Sequence, residues 1–316
     1  MEVVHTPVLV EEAIRCLRPD ASGGLMVDAT LGEGGHSFAF LSRFPGLRIL
    51  GIDADREIQQ AARERLAVFG DRISFYTGWS QDFFADLEAQ GGERPDMILI
   101  DLGVSHFHYV RGGRGFSFQR DEELDMRIDP ERGESAGALL KRLPERELAD
   151  LLYNYGGERF SRRIARLIVE ERRRSPVRSS LALAELVSRA VPAAYRRGPV
   201  HPATRTFLAL RIAANRELER LPALLEAAMS ALKPGGRLAV ISFHSGEDRL
   251  VKHYFRERCG PSRRTGDAPI HGEGAEVFRL LTPRAVGPQA EEAERNPPSR
   301  SAKLRAVEKL SEEDGA

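Results

Sequence analysis

Cysteine is almost missing from this chain: 316 residues hold two, Cys16 and Cys259, far apart in sequence. That excludes a disulfide framework, suits a reducing compartment, and leaves no cysteine cluster with metal-ligand spacing. Long apolar runs are missing too, so no segment reads as a membrane-spanning helix. The first residues carry neither the basic nor the apolar part of a secretory signal, and a cytoplasmic protein is expected. Net charge is absent, 47 basic residues balancing 47 acidic ones, so no global field announces a polyanionic partner. Lysine is scarce, five of those 47 cations; the rest are arginine, which suits phosphate. Tryptophan occurs once, at Trp79.

What is present is 41% apolar residues, enough to fill one large core or two ordinary ones. Charge is unevenly spread. Between His106 and Thr204 nineteen basic residues face fourteen acidic ones, and Arg159 to Arg178 holds eight arginines and two acids. This run reads either as a phosphate-binding surface or as a solvated helix face.

The most informative segment is Val27-Asp28-Ala29-Thr30-Leu31-Gly32-Glu33-Gly34-Gly35-His36, followed by a second apolar run ending in Gly51-Ile52-Asp53. An acid at one strand end, a glycine-rich loop and a second acid at the next strand end are how an α/β sheet holds a nucleoside, the second acid bonding the ribose. The loop is not G-x-G-x-x-G, however, and Glu33 puts a carboxylate where a pyrophosphate would sit. A nucleoside without phosphates fits better. S-adenosylmethionine is one: its cationic end tolerates Asp28 and Glu33, and its ribose can use Asp53. A ligand-free tight turn is the plain alternative.

Short apolar runs alternate with helical patterns, which predicts β-α units and a mainly parallel sheet. Strands are expected at Leu25–Ala29, Arg48–Ile52, Ile73–Tyr76 and Met97–Ile100, with helices at Ser37–Arg43, Arg56–Phe69 and Gln81–Ala89. The fourth strand has no polar residue and should be central, with Asp101 at its carboxyl tip. After it the rhythm becomes helical: Ser135–Lys141, Glu145–Tyr155, Arg159–Arg174 and Leu181–Ala190. The β-α pattern resumes with one long helix over Thr204–Leu232, a turn at Lys233–Gly236, a strand at Arg237–Ser242 and a helix at Glu247–Arg258. Gly260–Gly274 reads as a polar loop, Glu276–Leu281 and Ala302–Val307 as a closing antiparallel pair, and the acidic tail after Leu310 as disordered. The expected organisation is a split α/β domain, residues 1–105 and 204–316, around a helical insertion at 106–203.

Nine segments in order carry a family resemblance: His5–Leu9, Asp28–His36, Asp101–Ser105, Arg114–Phe118, Leu124–Arg127, Tyr155–Phe160, His201–Phe207, Ile241–Ser245 and Asn296–Arg305. Across nearly its whole length the chain resembles the bacterial 16S ribosomal RNA cytosine N4-methyltransferases, the RsmH or MraW family. The resemblance implies a class I (Rossmann-like) methyltransferase fold with an inserted all-helical subdomain. It also implies methyl transfer from S-adenosyl-L-methionine to the exocyclic N4 of a cytidine in the decoding region of 16S rRNA, within the small ribosomal subunit. By resemblance Gly34, Gly35, His36, Asp53, Trp79 and Asp101 belong to the cofactor site. Where the family has Ser-Pro-Gln-Leu after Gly-Val-Ser, this chain has His106-Phe107-His108-Tyr109, so the glutamine contact falls on His108. A metal reading of that His-x-His pair lacks further ligands nearby.

Cytosine N4 shares its lone pair with the ring, so transfer needs the amine oriented by acceptors about 3 Å from its hydrogens. Asp101 is the first candidate, against a purely cofactor-binding role. Ser242 and His244, after the next strand, are candidates to touch the base, against a role as turn residues. The basic insertion is the natural clamp for the RNA backbone. Phe116 and Phe118 could stack on bases or anchor the insertion's core. A noncatalytic RNA-binding or assembly factor on the same scaffold is the non-enzyme alternative; a Rossmann dehydrogenase would want the phosphate-approaching glycines, and a DNA N4-cytosine methyltransferase a Ser-Pro-Pro-Tyr type motif.

Overall fold

The computed structural model describes residues 6–110, 113–259 and 278–311. The polar stretch expected at Gly260–Gly274 and the end of the acidic tail lie outside them. The described chain divides into two compact units, one formed by residues 1–103 and 220–316, the other by Val104–Glu219.

The first unit starts with helix α1 (Val10–Leu17) and then alternates: β1 (Gly24–Asp28), α2 (Gly35–Arg43), β2 (Leu47–Asp53), α3 (Arg56–Leu66), β3 (Ile73–Thr77), α4 (Ser80–Ala89) and β4 (Met97–Asp101). The second unit contributes α5 (His106–Val110), α6 (Ala136–Arg142), α7 (Glu145–Gly156), α8 (Ser161–Glu171), α9 (Ser180–Ala190), α10 (Ala193–Arg196) and α11 (Thr204–Asn215). Helix α12 (Glu217–Ala231) leads back to the sheet with β5 (Arg237–Ser242), α13 (Ser245–Cys259), β6 (Phe278–Leu280), α14 (Ala290–Arg295) and β7 (Lys303–Lys309). Among the described residues no helix is long and apolar enough to cross a membrane.

The seven strands lie in the order β3-β2-β1-β4-β5-β7-β6, the first five parallel and β7 antiparallel to both its neighbours. As its apolar run requires, β4 is central, with Met97 to Ile100 all buried. Alternate side chains feed two cores. Met26, Ile49, Leu99 and Ile241 pack on one face with Leu9 and Phe40, while Val27, Ile98, Ile100 and Val240 pack on the other with Phe84, Leu225 and Phe255. The chain runs outward from β1 through β2 and β3, then returns to β4 on β1's other side. This reversal opens a crevice at the carboxyl ends of β1 and β4, where open α/β sheets take ligands.

Two expectations are corrected. Thr204–Leu232 is two helices rather than one, because Arg216 adopts a left-handed conformation (φ 52°) and its amide closes α11 onto the Ile212 and Ala213 carbonyls. Asn215 also turns its side chain away to hold the Met126 carbonyl at 2.7 Å and the Ile128 amide at 2.7 Å. The helical unit accordingly ends at Glu219 and not at 203. Helix α11 belongs to it because Gly156, on α7, lets the Arg205 backbone come so close that a Cβ would lie 2.3 Å from the Arg205 oxygen.

Candidate active site

Four parallel strands deliver Asp28, Asp53, Thr77 and Asp101 to one edge of the sheet. The glycine-rich loop crosses that edge between β1 and α2. Gly34 caps α2 at φ 74°, a conformation other residues rarely adopt, and a Cβ there would meet Leu66 at 2.8 Å. The loop is tied down from three sides: the Gly32 amide donates to Asp53 Oδ2 at 2.8 Å, the Leu31 amide to the Ile52 carbonyl at 2.8 Å, and Ser37 Oγ to Asp28 Oδ2 at 2.7 Å. Asp53 also accepts the Asp55 amide at 2.9 Å, so its carboxylate is fixed in direction.

Burial dominates the electrostatics. Asp28 is buried, and desolvation pushes its carboxyl up to about 6 although Ser37 and backbone donors oppose this. His36 is buried, and desolvation pushes its imidazole down to about 4. Its Nε2 lies 2.8 Å from the Val8 carbonyl, which only accepts, so Nε2 carries the proton. The other nitrogen, Nδ1, therefore presents a lone pair to Asp101 Oδ2, 3.6 Å away. Asp101 sits well above the usual carboxylate range, first from desolvation and then from the negative charges of Asp28 and Glu247. Its amide donates to Thr30 Oγ1 at 2.6 Å, and its Oδ1 is buried with no hydrogen-bond partner among the described residues.

Trp79 follows β3, and the Arg220 guanidinium covers one face of its ring at 4.0 Å from the centroid. Its Nε1 is buried without a hydrogen-bond partner among the described residues. Ser80 fixes the segment by donating its hydroxyl to the Ala29 carbonyl.

The two candidates after β5 are both engaged in local structure. Ser242 is buried and its hydroxyl donates to the Lys303 carbonyl on β7 at 3.3 Å. His244 sits just ahead of α13: its Nδ1 accepts the Gly246 amide at 3.2 Å and the Glu247 amide at 3.4 Å, while Glu247 Oε2 accepts the Phe243 amide at 2.9 Å and the His244 amide at 3.3 Å. This is a reciprocal capping box with histidine in the usual serine position. The sequence reading missed Thr30, Ser37, Ser80, Arg220 and Glu247. Only Glu247 had a signal, its position three residues after His244.

In the helical unit, His108 is buried in α5 with its ring 5.1 Å from that of Phe116. Phe116 belongs to the unit's core, the anchoring alternative. Helix α8 buries Ser161, Ile164, Ala165, Ile168 and Val169 and exposes Arg162, Arg163 and Arg166.

A model of the MraW methylase family matches residues 2–310. The chain belongs to that family. The Ribosomal RNA small subunit methyltransferase H of Treponema denticola is 52% identical over 98% of both chains. Its namesake in Syntrophobacter fumaroxidans is 46% identical over 96% of both, and that in Treponema pallidum 44% identical over 96% of this chain and 92% of its own. This MraW methylase is an enzyme with the class I methyltransferase fold, and S-adenosyl-L-methionine is its methyl donor. The residues present fit that donor. The negative charges of Asp28 and Glu247 both bear on Asp101, where a cation would relieve them. Asp53 stands oriented for a diol, and two buried polar atoms, Asp101 Oδ1 and Trp79 Nε1, lack partners.

Proposed function

We propose that this MraW methylase methylates the exocyclic N4 of a cytidine in the decoding region of 16S ribosomal RNA, in the cytoplasm and on the small ribosomal subunit. The observation that carries the reading is Asp101: a carboxyl group at the tip of the central strand, one oxygen unpartnered, the other facing a neutral imidazole.

Asp53 holds the ribose of the donor, Gly34 and Gly35 belong to the loop that receives it, and Trp79 stacks on its adenine. Asp28 and Asp101 complement its cationic end. Bound S-adenosylmethionine supplies a methyl group activated by a sulfonium. Beside that positive charge Asp101 ionises, since the like charges that keep it protonated are then offset. Ionised, its Oδ1 accepts a hydrogen bond from the N4 amine, turns the nitrogen lone pair toward the methyl group and takes the proton that N4 sheds. His36 acts as a positioning residue while Asp101 is neutral, its Nδ1 lone pair turned to the Oδ2 side of the carboxyl group. Ser242 and His244 shape the floor beside it through β7 and the α13 cap. The target amine is unreachable in a stacked helix, so the base is extruded, and the basic helical unit supplies arginines for the RNA phosphates.

Asp101→Asn keeps the shape and removes the proton acceptor. We expect the methyl group still to go to N4 but kcat to fall by about 10²- to 10⁴-fold. Mass mapping of nucleosides in 16S RNA treated with either protein checks both parts; a methyl group found elsewhere than on a cytidine N4, or an Asp101→Asn enzyme with parental kcat, overturns the reading.

A further inference from the structure

The two phenylalanines of the Arg114–Phe118 loop have different fates. Phe116 is core, whereas Phe118 is only partly buried and lies flat against the ring of His201, centroids 4.4 Å and planes 22° apart. Phe207 meets Phe118 edge-on at 5.1 Å and holds it there. The His201 ring is exposed, with Nδ1 accepting the Ala203 amide at 3.2 Å. Beside this pair α9 presents Leu181, Glu185, Ser188 and Arg189, a spacing that places them on one helix face. Together these residues line an open pocket of about 410 Å³, the size of small-ligand sites. Leu181 is 38% exposed although apolar. At the rim Arg196 reaches the Ser188 carbonyl at 3.4 Å and has no acidic partner among the described residues.

We propose that this pocket binds one unpaired base of the RNA, with its phosphate on Arg196. The inference rests on the RNA substrate proposed above. A pre-stacked pair of flat rings, an exposed aliphatic wall and an uncommitted guanidinium are the parts from which single-strand sites are made, where stacking supplies affinity and arginine follows the backbone. A peptide would find little here to hold its main chain. Arg189 is shared with Glu171 at 3.1 Å, which leaves Arg196 as the phosphate ligand.

The test uses the full chain and a fluorescein-labelled single-stranded RNA oligomer from the decoding region with 4-thiouridine at its uridine positions. Leu181→Glu should weaken binding by about tenfold or more, the scale of losing one stacked base. His201→Asn should do the same, because asparagine can still accept the Ala203 amide but offers no ring to stack on. Arg196→Gln should lower the slope of log affinity against log salt by about 0.7. Photo-crosslinks on the parent protein should map to peptides holding Phe118 or Leu181, a readout that needs no variant to fold. Parental affinity in variants that melt like the parent, crosslinks confined to other peptides, or no RNA binding by the parent overturns the pocket. Because none of these measurements requires methyl transfer, N4 methylation by the parent with no pocket crosslink removes the pocket alone, and pocket crosslinks with the methyl group elsewhere remove the proposed reaction alone.

Discussion

Asp28 and His36 titrate in opposite senses over the same interval. Unfolded, Asp28 ionises near 3.8; folded, near 6. Between those values the folded chain keeps a proton the unfolded one has lost, so stability falls as pH rises through the interval. His36 takes a proton near 6.5 when unfolded and near 4 when folded. There the unfolded chain holds the extra proton, and stability rises with pH. Between about 4 and 6 the two slopes cancel. Asp28→Asn keeps an acceptor for Ser37 and removes one slope. The variant should be more stable than the parent at pH 7, by on the order of 3 kcal/mol, and the advantage should vanish by pH 4. Urea midpoints at both pH values measure this; an equal difference at each would mean Asp28 is not held protonated. Asp53 lies in the same crevice but acts through direction. Asp53→Ala should weaken donor binding by about 1–3 kcal/mol by calorimetry, the scale of a charged hydrogen bond, and Asp53→Asn, which can still accept the Gly32 amide, by less.

At the scale of elements, α8 separates two roles that its sequence mixes. Its buried stripe serves the unit's core, and Arg162, Arg163 and Arg166 all stand in solvent, Arg166 only loosely paired with Glu170 at 3.9 Å. Changing the three to Glu should leave unfolding free energy within about 0.5 kcal/mol, as surface changes do, while weakening RNA binding and flattening its salt dependence. RNA affinity and salt slope equal to the parent's would make this a solvated face only. Elements with strong patterns were legible in advance: β1, β2, β3, β4 and β5 all lie within two residues of the expected bounds, because short runs rich in apolar residues between turn signals mark strands, and the buried central β4 is apolar throughout. The break at Arg216 was not legible, since no glycine or proline marks it and the cause is Asn215 reaching a distant loop. The positions of Asp28, Asp53 and Asp101 at strand tips could be read because the apolar runs end there. Roles that depend on partners could not: nothing in the order of residues tells that Ser242 faces Lys303, that His244 caps a helix, or that Arg220 covers Trp79.

Over the whole molecule, the cysteines lie away from the chemistry. The Cys16 carbonyl accepts Arg237 Nη1 at 3.2 Å, at the amino end of β5, whereas Asp101 aligns with Ile241 near its other end. Cys259 closes α13 within the core. Methylation at ring carbon C5 would need a thiolate added at C6. Cys16→Ala with Cys259→Ala should therefore keep full activity, and substrate tritiated at C5 should keep its label; tritium released in step with methyl transfer would contradict this.

Strand β7 has a different consequence. It lies between β5 and β6, and just before it Glu292 Oε1 accepts the Leu9 amide at 2.8 Å and Asn296 donates to the Thr6 carbonyl at 3.0 Å. Those residues flank Val8, whose carbonyl orients His36. A chain ended at Ser301 should fail to fold cooperatively and to bind donor, which circular dichroism and calorimetry would show. Ribosomes build proteins from the amino end, so the catalytic edge stays unfinished until β7 has been made, and a nascent copy can take up donor only once that strand has emerged.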